Sequence, residues 1–264
     1  MGCGRVKHVA WAQRGWRACD ALRFVKSQIG KGFAFSMSHD PDSSPVNPLP
    51  PVVTALFLIL FGIEVAFLLG AEGIIGGPTA VGWRLAALQA YAMSPEVVWW
   101  MLDTSRYPPE HLMRFVGYAF VHGTFTQALF SGVILLAMGK IVGEALGSAR
   151  LALIYLASAI GAALIYSLVV PLGAPLIGAF PAVYGLIGGF TFLLWVKLGM
   201  VGGQQARAFS MIAVLMGVQL LFTVIFGTGP EWVADLAGFA VGFAMTALLI
   251  PGGWRLILAR MRRR

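Results

Sequence analysis

The sequence predicts an all-α membrane protein: a bundle of six transmembrane helices with one long interfacial loop after the first. Three observations carry this. Of 264 residues, 58% are hydrophobic and only 11% are charged, whereas a soluble domain carries roughly 25% charged residues. Apolar stretches at 52–70, 119–139, 150–170, 178–197, 208–227 and 232–250 reach the roughly 20 residues a helix needs to cross a bilayer. The basic residues gather on one side of those stretches.

Inside lipid each backbone polar group needs an internal partner, so the six stretches are expected as helices. Residues 1–50 form a tail and residues 51–252 the membrane domain, followed by a basic tail over 253–264. Within the first tail, residues 1–36 are basic and hold a single acid, Asp20. They read as an over-long start ahead of Met37, in preference to a basic amphipathic helix or a transit peptide. Residues 37–51, "MSHDPDSSPVNPLPP", read as a short polar leader. The loop over 71–113 holds Trp83, Tyr91, Trp99, Trp100 and Tyr107. Aromatics at that density sit at headgroup level. All Lys and Arg except Arg84, Arg106 and Arg114 fall on the side of the two termini. Both termini are therefore expected to be cytoplasmic, in a bacterial plasma membrane.

Composition also excludes function classes. The net charge of +8 follows from membrane topology and calls for no nucleic acid. Cys3 and Cys19 lie outside the bundle and make no disulfide framework. No Cys/His cluster has metal-ligand spacing and no Gly-rich phosphate loop is present, so no metal or cofactor is expected.

Small residues mark the close contacts. Gly178, Ala182, Gly185 and Gly189 recur on one face of the fourth span, and Gly238 and Gly242 make a GxxxG in the sixth. Asp235 shares the Gly238 face and so points into the bundle; an acid there is either functional or a packing device. Gln127 and Ser131 share a face of the second span. His122 reads as a helix-start residue bonded to loop backbone. On a continuous helix His122 and Ser131 would lie about 13 Å apart along the axis and face opposite ways, which excludes a dyad.

These residues resemble a known family. "RFVGYAFVHGTFTQALFS" with "MGKIVGEALGSARLALIYLASAIGAAL" is similar to the second and third helices of rhomboid intramembrane serine proteases. The GxxxGE element, Gly139 to Glu144, is the most specific part. "GAFPAVYGLIGG" resembles the nucleophile helix and "ADLAGFAVG" the sixth helix. The resemblance implies a six-helix rhomboid-like bundle with its long first loop. His122, Tyr184, Gly178, Gly185, Gly238 and Gly242 match the family pattern for cavity and helix packing. The reacting positions do not match. By the resemblance, the nucleophile falls on Phe180, the glycine after it on Pro181 and the base on Asp235. The two oxyanion-holding positions fall on Gln127 and Ser131. Arg114 matches the arginine of a Trp-Arg pair, with Met113 in place of the tryptophan.

Peptide hydrolysis by this route needs a nucleophilic oxygen or sulfur and a base to take its proton. Phe180 supplies neither lone pair nor proton, and Pro181 has no N–H for an oxyanion. A second intramembrane acid for a two-carboxylate site could only be Glu64, which nothing in the sequence sets opposite Asp235. The expectation is a pseudoprotease: a multi-pass protein in the bilayer that binds single transmembrane segments of client proteins. The alternative is an active serine-type endopeptidase with a displaced nucleophile. A carrier built on Asp235, Gln127, Ser131 and Tyr184 would want inverted repeats and a line of intramembrane charges, and the sequence has neither.

Overall fold

The computed structural model describes residues 49–250, except Thr228 and the side chains of Phe222 and Phe226. The readings of the two tails lie outside those residues, apart from 49 and 50. In chain order the helices are α1 (Pro51–Ala71), α2 (Trp83–Tyr91), α3 (Pro95–Thr104), α4 (Pro109–Gly117) and α5 (Phe125–Leu146). They continue with α6 (Ser148–Val169), α7 (Phe180–Met200), α8 (Ser210–Phe226) and α9 (Trp232–Leu249). Short 3-10 turns cover Gly77–Gly82, Tyr118–Phe120 and Gln205–Phe209. Among the described residues, 6 helices are long and apolar enough to cross a membrane. They are α1, α5, α6, α7, α8 with its preceding turn, and α9.

Two sequence expectations need correcting. The second span begins at Phe125, not at 119, because the chain before it makes a 3-10 turn and then extends. The Thr124 side chain caps the helix by accepting from the Gln127 N–H. The long connection after α1 is not plain loop, since it folds into α2, α3 and α4. Its aromatics stay part-exposed, Trp100 at 42% and Tyr107 at 57%, while the Trp99 indole N–H donates to the Ser167 carbonyl.

Helix α7 is the hub. It is the most buried of the spans and packs against α5, α6 and α9. A side chain at Gly238 would strike the Pro181 backbone, one at Gly242 the Gly185 backbone, and one at Gly189 the Thr246 hydroxyl. The three pairs keep one constant offset, so α7 and α9 run parallel, in contact along successive turns. The approach is set by small residues, as close packing in lipid requires. By contrast, of the described α8 side chains only Ile212 is buried. Val214, Val218, Leu220, Leu221, Val224 and Ile225 point outward. Helix α8 thus leans on the bundle and is not built into it.

Candidate functional site at the mouth of helix α7

The segment before α7 is pinned at Ala174 and from Leu176 to Ala179. Leu176 makes an isolated antiparallel bridge with Met93. The Gly178 N–H donates to the Tyr118 carbonyl at 2.9 Å, and the Tyr166 hydroxyl donates to the Ala174 carbonyl at 3.0 Å. Gly178 precedes the helix instead of joining its small-residue face, because its φ of +90° is left-handed. A side chain there would run into the Gln127 amide and the His122 ring.

The Gln127 amide closes the mouth from the α5 side. Its Nε2 donates to the Ile177 carbonyl and its Oε1 accepts from the Gly123 N–H, both at 3.1 Å. His122 is fully buried. Its Nε2 accepts from the Ala179 N–H at 3.2 Å, which places the proton of a neutral ring on Nδ1. Burial, foremost, holds the His122 pKa down at about 4; nearby Glu64 opposes this and Arg84 reinforces it.

Ser131 Oγ lies 3.1 Å from His122 Nε2. This corrects the expectation that the two are far apart. His122 stands on the extended stretch before α5, which folds back over the helix's second turn. The Ser131 proton is shared between Nε2 and the Ala128 carbonyl, also 3.1 Å away. Ser131 and His122 are both buried, and the Ala179 N–H competes for the Nε2 lone pair. Among the described residues His122 Nδ1 has no partner to orient the ring, where a Ser-His site uses a third group.

Glu64 does not face Asp235. It forms a two-pronged ion pair with Arg84, at 2.5 and 3.2 Å. The guanidinium also donates to the His122 carbonyl at 2.8 Å and lies over the Phe67 ring. Arg84 therefore ties α1, α2 and the start of α5 together. Sequence reasoning placed Arg84 only by its side of the membrane. A basic residue after a span that carries a buried acid was the available signal.

Phe180 opens α7 and is half-buried, packed on an apolar cluster of Tyr184, Ile187, Ile212 and Phe239. Its ring thus belongs to the layer between α7 and the loosely held α8. Asp235 is buried on α9, and its Oδ2 accepts from the Gln219 Nε2 of α8 at 2.7 Å. Gln219 also went unread in the sequence, although it is the one amide in an otherwise apolar helix. Hydrogen bonds of this kind between membrane helices average only about 0.6 kcal/mol. Asp235 bonds to Gln219 of α8, whereas Gln127 bonds to the segment before α7 and Ser131 to His122. Arg114 donates to the Ala92 carbonyl at 2.9 Å and stays in the loop region.

The family model for the Rhomboid domain matches residues 109–252. The chain is also 24% identical, over 203 residues, to a Bacillus subtilis (strain 168) protein named "Putative rhomboid protease YdcA". That match covers 76% of this chain and 90% of the relative. The matched segment runs from α4 through the end of α9 and includes His122, Gln127, Ser131 and the start of α7.

Proposed function

The chain belongs to the rhomboid family and is an integral, multi-pass membrane protein; from that premise we propose that it is a pseudoprotease that binds transmembrane segments of single-pass client proteins. One observation carries the reading. Helix α7 begins with Phe180 and Pro181, so its mouth offers neither a hydroxyl nor a backbone N–H at the positions that match nucleophile and oxyanion donor. Loss of the nucleophile alone costs on the order of 10⁶ in rate in a soluble serine protease. Asp235, at the position matching the base, accepts a hydrogen bond from Gln219, and Phe180, at the position matching the nucleophile, has no hydroxyl for it to activate. The scaffold that would receive a helix is meanwhile complete: a pinned mouth, a close α7–α9 seam and a loosely packed α8. A bacterial plasma membrane with both termini cytoplasmic fits the distribution of Lys and Arg.

The experiment is photo-crosslinking from position 180 in native membranes, with a benzophenone-bearing phenylalanine replacing Phe180. Adducts are expected on membrane-spanning peptides of single-pass proteins, mapped by mass spectrometry. Adducts confined to lipid would refute client binding. The second reading, hydrolysis by a displaced nucleophile, has one observation in its favour, the Ser131–His122 contact. It predicts turnover that disappears in Ser131→Ala.

A further inference from the structure

We infer that Asp235 is a recognition group: it selects client helices that carry a side-chain N–H donor at its own depth in the membrane, and Gln219 is the internal stand-in for that donor. The inference rests on the client-binding reading above.

Four observations converge on it. Asp235 is a buried carboxylate within an apolar span, where an acid must be paired. Among the described residues its carboxylate is bonded by one side chain, Gln219. That donor comes from the most weakly anchored polar position of the site, since α8 has Ile212 as its one described buried side chain. The Gln219 clasp is also only half satisfied: among the described residues its buried Oε1 has no partner, which weakens its claim on the site. A stapling contact meant only to hold α8 would be expected to satisfy both ends of the amide. Here the acceptor sits on the closely packed α7–α9 seam, and the donor is carried by α8, whose one described buried side chain is Ile212.

The matching chemistry is a side-chain N–H on an otherwise apolar helix. An amide would replace Gln219 like for like. An ammonium would add charge complementarity to the carboxylate. A helix without such a donor would leave Asp235 unpaired in lipid when it displaced Gln219, so it is disfavoured.

The test uses the full-length protein in nanodiscs with the photoreactive residue at position 180. The probes are three synthetic leucine-alanine helices that differ at one residue, four positions from the end. The residue is Gln, Lys or Leu. Capture of the Gln and Lys helices is expected to exceed that of the Leu helix by about threefold, the factor that one typical inter-helix hydrogen bond provides. Gln219→Leu should raise capture of the two donor helices and leave the Leu helix unchanged. Asp235→Leu should make all three equal. Should that variant fold poorly, Asp235→Asn keeps an acceptor oxygen but no charge. It should retain the preference for Gln and lose that for Lys. Equal capture of the three helices by the parent protein overturns the inference while leaving client binding intact. So does a preference that persists in Asp235→Leu. A Gln219→Leu effect that is the same for all three helices shows a mere staple, and overturns it too. Capture of none sinks both readings.

Discussion

Replacing Gly242 by leucine is expected to pry α7 from α9 and leave little folded protein in detergent. A single added carbon at position 242 would strike the backbone of Gly185, and one at Gly188 would strike the Phe239 carbonyl and the Phe243 nitrogen. Backbone atoms cannot rotate away as a side-chain tip can, so the helices themselves must part. Overpacking of an ordinary core costs about 1–3 kcal/mol. A leucine wedged into a backbone-to-backbone seam should exceed that range, against a total stability of roughly 5–15 kcal/mol. Gly217 of α8 is the control, because an added carbon there meets nothing within 4 Å. Thermal unfolding in detergent should show Gly217→Leu melting with the parent and Gly242→Leu melting far below it. Equal melting of the two variants would mean that α7 and α9 do not meet as described.

The second large effect is expected from Arg84→Met. Its partner Glu64 is 1% exposed, and removing one member of a buried ion pair leaves a stranded charge. The usual cost is about 3–5 kcal/mol. The His122 carbonyl loses its donor in the same step, so the mouth of α7 should loosen along with α1. Glu64→Leu combined with Arg84→Met should recover most of the loss, since an apolar pair of similar volume is often neutral. Denaturation of the two single variants and the double variant makes the comparison. A double variant as unstable as Arg84→Met would show that the guanidinium acts through the His122 carbonyl and Phe67, not through Glu64.

Much of this architecture is legible in the sequence because helices in lipid obey two simple constraints. Twenty apolar residues must span the hydrocarbon, and close backbones need small residues on one face. Those constraints suffice for the six spans and for the small-residue faces that carry Gly185 and Gly242, though not for their meeting. They fail where the chain leaves regular structure. Gly178 looks like part of a glycine stripe, yet its backbone is left-handed and it belongs to the pinned segment before α7. His122 and Ser131 look remote under helical spacing, but α5 starts only after Thr124, and the stretch before it folds back. Thr124 followed by Gln127 is a capping pattern that could have marked that start. The two ties that span long sequence gaps, Glu64 to Arg84 and Gln219 to Asp235, depend on which helices become neighbours. Periodicity within one helix carries no such information. What remains readable is that each is a lone polar residue in or beside an apolar span, and such a residue needs a partner.

An inert mouth at α7 is tested most directly by exposing the purified protein and its Ser131→Ala variant to a serine-reactive fluorophosphonate, with a helix-destabilised transmembrane substrate assayed in parallel. The expected result is no labelling and no cleavage by either protein. Labelling or cleavage by the parent that vanishes in Ser131→Ala would contradict it, and would make the buried Ser131–His122 pair the working centre of an enzyme.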